Sequence, residues 1–134
     1  MKQILQNMRS GLTEVVEVPA PKIRPGTVLI RTMASLVSAG TERTVVEFAE
    51  KNLVQKAHSR PDLVRQVLDK AKREGILTTY ESALNRLDQP LPLGYSSSGV
   101  VIEVGEGVSQ YQVGDRVVCA GGGHAVHAEY ALIP

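Results

Sequence analysis

Two short runs of side chains have the hydroxyl chemistry of a binding or catalytic site. Ser38 and Thr41 lie close together in the first third of the chain, and Tyr95 and Ser96 follow a glycine in the last third. A tyrosine hydroxyl is protonated at neutral pH, so Tyr95 could act as a general acid or donate to an oxyanion. The alternative is structural, because Ser and Thr are also the residues with which a helix begins, and a tyrosine can simply pack.

One cysteine and two histidines near the end of the chain could form a metal site. Cys119, His124 and His127 are of the types that bind zinc, and a catalytic zinc needs three protein ligands. Cys119 lies in an apolar strand pattern, where a buried thiol is usual. The odd separation of the two histidines places them on opposite faces of an extended segment. We therefore predict no metal at these residues.

The first and last thirds of the chain have the patterns of β-strands. Residues 27–33 alternate in a strand-like way after the turn signal Pro25-Gly26, and Gly105, Gly107 and Gly114 supply later turns. The predicted strands are 2–6, 12–18, 27–33, 99–104, 116–119 and 128–133.

The middle of the chain has the patterns of helices. A first helix is predicted from Ser38 or Thr41 to Val54, and a third from Thr78 or Thr79 until the prolines at 90 and 92. The second begins at residues 59–62 and ends at Gly75, with one apolar face formed by Leu63, Val64, Val67, Leu68 and Ala71. The whole predicts a mainly β fold with an α insert: a partly open β-barrel plus about three helices, with residues 43–90 as the insert.

Composition excludes several classes of protein. With 134 residues, 43% of them apolar, the chain can form one domain with a core. A net charge of +1 and the scarcity of aromatic residues argue against nucleic acid as a partner. No apolar stretch has the length of a membrane span, so no membrane partner is expected. A single cysteine excludes an internal disulfide and predicts a reducing, cytoplasmic location.

Several motifs together resemble the GroES-like catalytic domain of the medium-chain dehydrogenase/reductase family, the zinc-type alcohol dehydrogenases. Residues 91–108 read LPLGYSSSGVVIEVGEGV, and VGDRV follows at 113–117. The EVPAP and PGTVLIR segments within residues 17–31 resemble the opening of the family. Residues 123–134, which contain Ala-Glu-Tyr, resemble its G-x-x-A-E-Y-x-x-V-P segment.

The resemblance implies that this member lacks the family's zinc ligands. Zinc-dependent members read G-H-E-x-x-G-x-V, whereas Tyr95 and Ser96 stand here in place of the His and Glu. Ser38 or Ala39 stands where the cysteine ligand belongs, and one cysteine cannot build a four-cysteine structural zinc lobe. No zinc is therefore expected. The long insert at 43–90 resembles a subgroup in which the module belongs to a larger, two-part oxidoreductase.

The resemblance also implies the roles of the hydroxyl residues. In the family, the loop that carries Ser38 and Thr41 faces the nicotinamide and the substrate. Ser38, Thr41 and Tyr95 are thus the catalytic candidates, and Ser38, Thr41 and Ser96 are the candidate contacts to NAD or NADP. Glu42 takes the place of an acidic residue that supports the metal in zinc-dependent relatives, a role that lapses without the metal.

The Rossmann cofactor domain of the family is not found in this sequence. Gln110 stands where a third glycine would complete G-x-G-x-x-G after Gly105 and Gly107. Residues 94–99 have the glycine spacing of a P-loop, but valines follow instead of Lys and Ser or Thr. We expect a fragment of a longer protein in which its own Rossmann domain is its partner, and an isolated chain without turnover.

The predicted function is that of the substrate domain of an NAD(P)-dependent oxidoreductase. Its small-molecule substrate would be a carbonyl, a hydroxyl or an activated alkene. Without zinc, hydroxyls and backbone amides must polarise a carbonyl, which favours alkene or quinone reduction. The alternative is a non-enzymatic binding or assembly module that uses the helical insert as its partner surface. The sequence leaves open whether the protein is a homo-oligomer.

Overall fold

Strands open and close the chain, and helices fill its middle. The computed structural model describes residues 1–134 apart from the side chain of Glu74. Within that description the strands are β1 (Lys2–Gln6), β2 (Thr13–Glu17), β3 (Val28–Ser35), β4 (Leu91–Pro92), β5 (Ser96–Val104), β6 (Arg116–Ala120) and β7 (Tyr130–Ile133). The helices are α1 (Thr41–Glu50), α2 (Leu53–Ser59), α3 (Pro61–Glu74) and α4 (Ile76–Asp88). This order confirms the predicted β fold with an α insert.

The strands form two open sheets. A three-stranded sheet has the order β2-β1-β4, and a four-stranded sheet has the order β6-β5-β3-β7. In the second sheet β3 pairs antiparallel with β5, so that Val28 lies opposite Val104 and Ser35 lies opposite Ser97. Open sheets of this kind are those of the partly open barrel that the sequence predicts. The short β4 was not predicted.

A small apolar core holds β3 and β5 in place. Val28 and Ile30 of β3 and Val101 of β5 are buried together with Cys119 of β6 and Ala125. The inward side chains of β5 alternate along the strand, as expected for one buried face. The core therefore fixes the two strands whose neighbouring ends, at Ser35 and Ser96, carry the candidate site.

The predicted first helix is wrong in its length. Instead of running to Val54, α1 ends at Glu50 and α2 begins at Leu53. The reason is a capping box: the Asn52 side chain accepts from the Gln55 amide at 2.8 Å, and the Gln55 side chain accepts from the Asn52 amide at 3.1 Å. The described residues thus hold four helices rather than about three, and α4 begins before the predicted Thr78. In the part of the chain that the structure describes, none of the helices combines the length and the hydropathy of a membrane span.

The chain divides into two compact units. The sheet unit comprises residues 1–5, 14–42 and 92–134, and the helical unit comprises residues 6–13 and 43–91. Every residue of the candidate site described next belongs to the sheet unit.

Candidate functional site

Ser38 and Thr41 lie in the turn between β3 and α1. The Ser38 hydroxyl accepts from the Thr41 amide at 3.3 Å, and the Ser38 amide donates to Glu42 Oε1 at 3.0 Å. The Glu42 amide also donates to the Ser38 carbonyl at 3.0 Å. These bonds are those of a helix start, so the structural interpretation of the two residues holds. The Thr41 side chain is exposed, which leaves its hydroxyl accessible from solvent.

Tyr95 and Ser96 lie just before and at the first residue of β5. The Ser96 carbonyl accepts from the Leu36 amide at 2.9 Å, which joins the start of β5 to the segment that leads to Ser38. The Tyr95 carbonyl accepts from the Gly121 amide at 2.8 Å, and its side chain is 37% exposed. The structure therefore brings the two predicted runs of hydroxyl residues to the same end of the four-stranded sheet.

A shallow depression of about 270 Å³ lies where β3 and β5 meet at that end. Ser96 and Ser98 of β5 and Ser35 of β3 give it hydroxyl groups, whereas the hydroxyl of Ser97, which also lines it, is buried. The remaining lining residues are Ala34, Leu36 and Val118. Of the predicted site residues, Ser96 lines the depression. Ser38, Thr41 and Tyr95 are not among the described residues that line it.

A hydrogen-bonded series of three side chains leads inward from this depression. His127 Nδ1 lies 2.8 Å from Ser35 Oγ, and His127 Nε2 lies 2.9 Å from Glu42 Oε2. His127 and Glu42 are buried, whereas Ser35 is exposed. An exposed hydroxyl, a buried imidazole and a buried carboxylate are therefore connected in that order.

The surroundings of Glu42 favour its ionised form. Burial alone raises the pKa of a carboxyl group, but here the Ser38 amide and then His127, by hydrogen bond and by charge, lower the pKa of Glu42 below its ordinary value of 4.5. Glu42 is therefore a carboxylate at neutral pH, with a donor on each oxygen.

Backbone bonds on both sides fix the position of His127. Its amide donates to the Leu93 carbonyl at 2.8 Å, and its carbonyl accepts from the Ile4 amide at 2.9 Å. Gly94 passes so close that a Cβ there would lie 2.8 Å from the His127 amide nitrogen and 2.9 Å from its ring carbon Cγ. The glycine before Tyr95 is thus required for the buried imidazole to fit.

Cys119, His124 and His127 do not form a metal centre. Cys119 is buried in the core, where burial raises the pKa of its thiol while the neighbouring Ser97 hydroxyl opposes the rise. His124 is exposed, and His127 is bonded to Glu42 and Ser35. Across the described residues, no three His, Cys, Asp or Glu side chains lie together as a metal would need. Tyr95, Ser96 and either Ser38 or Ala39, the residues at the motif positions of the family's ligands, carry no thiolate, imidazole or carboxylate donor.

Sequence reasoning missed Ser35 and the burial of Glu42. Glu42 has the pattern of a solvated acidic residue in a first helical turn, but the structure buries it against His127. The two residues are 85 positions apart, and Ser35 is 92 positions from His127. No local pattern carries such a contact.

Comparison with known proteins agrees with the fold and the motifs. The family described as the alcohol dehydrogenase GroES-like domain matches residues 69–134. L-threonine 3-dehydrogenase of Thermococcus kodakarensis is 28% identical over 117 residues, which is 87% of this chain and 24% of that protein.

Two solved structures share the fold. The quinone oxidoreductase of Coxiella burnetii superposes with a TM-score of 0.59 at 23% identity, over 99% of this chain and 34% of that one. The 2-octenoyl-CoA carboxylase reductase CinF of a Streptomyces species, solved in complex with NADP and 2-octenoyl-CoA, superposes with a TM-score of 0.55 at 20% identity. The match covers 98% of this chain and 35% of that one.

The matched segment and the fold agree with each other. Residues 69–134 match the alcohol dehydrogenase GroES-like domain, and the whole chain shares the fold of the solved quinone oxidoreductase. It spans about a quarter of the matched dehydrogenase and about a third of the two solved chains.

Proposed function

We propose that this chain is the substrate-side domain of an NAD(P)-dependent oxidoreductase that works without zinc. The observation that carries the proposal is the hydroxyl-lined depression at the ends of β3 and β5, in a domain of this family. A reducing cytoplasm remains the location predicted from the single cysteine.

The residues around the depression suit a nicotinamide and an uncharged oxygen function. The hydroxyl of Ser96, which lines the depression, and the exposed hydroxyl of Thr41 in the turn after β3 can bond to a carboxamide or to a substrate oxygen. Ser38 accepts a hydrogen bond from the Thr41 amide within that turn. When bound, the dinucleotide supplies the hydride for a reduction or accepts it in an oxidation. Hydroxyl groups and backbone amides then polarise the substrate in place of a metal.

Activated alkenes and quinones are the substrate classes that we favour. Polarisation by hydroxyl groups is weaker than polarisation by a metal ion, and conjugated acceptors need less of it. Two solved proteins with this fold are a quinone oxidoreductase and a 2-octenoyl-CoA carboxylase reductase, which supports the same choice. Tyr95, which precedes Ser96 in the chain and is partly exposed, is a further candidate donor.

The experiment is an assay of the intact protein encoded by the gene that contains this chain. We expect the fluorescence of NADH or NADPH to be quenched when the dinucleotide binds. We also expect the dinucleotide to be oxidised when a quinone or a 2-enoyl thioester is added. The polypeptide of residues 1–134 is the matched control, and it is expected to show no turnover. An intact protein that binds neither dinucleotide would contradict the proposal.

Thr41→Ala in the intact enzyme is expected to lower kcat/KM by about tenfold to a hundredfold, because one hydrogen bond at the reacting end is worth about 1–3 kcal/mol. The unfolding free energy should change by less than about 0.5 kcal/mol, since the side chain is exposed. Steady-state kinetics and urea unfolding measure the two effects. Thr41→Ser keeps the hydroxyl and should restore the rate. Equal losses of turnover and of stability would contradict a functional role for Thr41.

A non-enzymatic module is the second candidate, and exposed apolar side chains favour it. Leu63, Val67 and Leu68 of α3 are 40%, 40% and 55% exposed in the helical unit. Exposed apolar side chains of this kind are typical of a surface that binds a protein partner. This alternative predicts that the intact protein binds no dinucleotide, so the assay above distinguishes the two functions.

A further inference from the structure

The series Ser35–His127–Glu42 connects the depression to a buried ionised group. The proposed function assigns no part to these three side chains. Ser35 is exposed and lines the depression beside Ser96. His127 lies behind it, hydrogen-bonded at 2.8 Å, and Glu42 lies behind His127 at 2.9 Å. The elements are β3, the segment before β7 and the first turn of α1, all within the sheet unit.

The carboxylate determines which ring nitrogen of His127 carries a proton. An ionised Glu42 is an acceptor only, so His127 Nε2 must donate to it. In the neutral imidazole Nδ1 is then an acceptor, and Ser35 donates its hydroxyl proton to it. In the imidazolium Nδ1 donates to Ser35 Oγ, and the hydroxyl proton is free to point into the depression.

The neighbours of His127 leave Glu42 as its charged partner. From β3 it meets the neutral Ser35, and from β1 and the segment after β4 it meets the backbone groups of Ile4 and Leu93. Among the described residues, the carboxylate in α1 is the charged group that bonds to the imidazole. Burying such a pair has a desolvation penalty, and apolar side chains of similar volume would fill the same space without that penalty.

We propose that Ser35 is a catalytic residue that exchanges a proton with the substrate, with His127 as the proton reservoir and Glu42 as the positioning residue. The inference rests on the proposed function. In a reduction the Ser35 O–H bond breaks as its proton passes to the developing substrate anion. The His127 Nδ1–H bond then breaks and its proton re-forms the hydroxyl, which leaves a neutral imidazole. Together with the hydride from the dinucleotide, this proton completes a two-electron reduction, and oxidation runs the same transfers backwards.

The first test needs no turnover. The intact protein labelled with ¹⁵N-histidine contains His58, His124 and His127 within this chain, and a His127→Gln variant assigns the signals. We expect the proton of neutral His127 to reside on Nε2. Ser35→Ala should shift the Nδ1 signal and leave Nε2 bonded to Glu42. A neutral imidazole with its proton on Nδ1 would overturn the relay.

The second test is kinetic. Ser35→Ala is expected to lower kcat by about a hundredfold or more, the usual worth of a general acid, with dinucleotide affinity unchanged. Ser35→Thr keeps a hydroxyl and should recover part of the rate. Ser109→Ala removes an exposed serine of the same unit and should leave turnover unchanged.

The outcomes separate the two proposals. A wild-type enzyme that is active with NAD(P)H, together with a Ser35→Ala variant at wild-type rate, would overturn the relay and leave the proposed function intact. A wild-type protein without dinucleotide-dependent turnover would overturn the proposed function and, with it, the catalytic role of Ser35.

Discussion

Glu42→Ala is expected to lower the free energy of unfolding by about 3 kcal/mol, because it removes two hydrogen bonds to a charged group, each worth about 1.5–3 kcal/mol. The lost bonds are those from the Ser38 amide and from His127 Nε2. The second leaves a buried imidazole without its partner, which adds the cost of an unsatisfied donor. A first-turn glutamate in solvent would contribute well under 1 kcal/mol.

The same contacts predict how stability depends on pH. Since the pKa of Glu42 is lower in the folded protein than its ordinary value of 4.5, folding favours the carboxylate. The stabilisation is therefore complete above pH 4.5 and is lost as the pH falls from there through the lower folded pKa. The difference in unfolding free energy between the wild type and Glu42→Gln should be largest near neutral pH and should shrink as the pH falls below 4.5.

Urea unfolding between pH 3 and pH 7 measures this prediction, with the midpoint compared at constant m-value. Glu103→Gln is the matched control, because Glu103 is an exposed glutamate of β5. It should follow the wild type within about 0.5 kcal/mol at every pH. Identical pH profiles for the wild type and Glu42→Gln would show that the Glu42–His127 pair does not form in solution.

The sheets could be predicted because their signals are local. Alternation along residues 27–33 and the glycine turns around 105–114 define β3, β5 and β6 within a few positions. The break between α1 and α2 also had a local signal, since Asn52 and Gln55 have the spacing of a capping box. The apolar pattern on either side favours one continuous helix and masks that signal.

The candidate site could be predicted only in part. Ser38, Thr41, Tyr95 and Ser96 were found because they occupy positions of a family motif, and the structure places them at one end of one sheet. Their catalytic and cofactor roles remain predictions. The partners of Glu42 could not be found, because pairing over such a separation depends on how β3, α1 and the segment before β7 fold together. No local sequence pattern of a glutamate or a histidine predicts that the two side chains will be in contact.

The approach of β5 to β3 depends on Gly99. The residue is buried and lies opposite Thr32, and a Cβ at this position would lie 2.3 Å from the Arg31 carbonyl oxygen and 2.7 Å from Ile30 Cγ2. The first of these atoms is backbone, so it cannot turn away as the tip of a side chain could. Both strands are inner strands of the four-stranded sheet, which leaves neither of them free to move without breaking pairs on its other side.

Gly99→Ala is therefore expected to destabilise the chain by about 3 kcal/mol, at the upper end of what overpacking usually costs. Gly122→Ala is the matched control, because a Cβ there has nothing within 4 Å, and it should change stability by less than about 0.5 kcal/mol. Urea unfolding of the two variants compares them directly. Because Ser35 and Ser97 pair at the end of the same ladder, the strand shift in Gly99→Ala should also disturb the ¹⁵N signals of His127. Equal midpoints for the two variants would mean that β3 and β5 can separate at no cost, and that the register that places Ser35 beside the depression is not held by this contact.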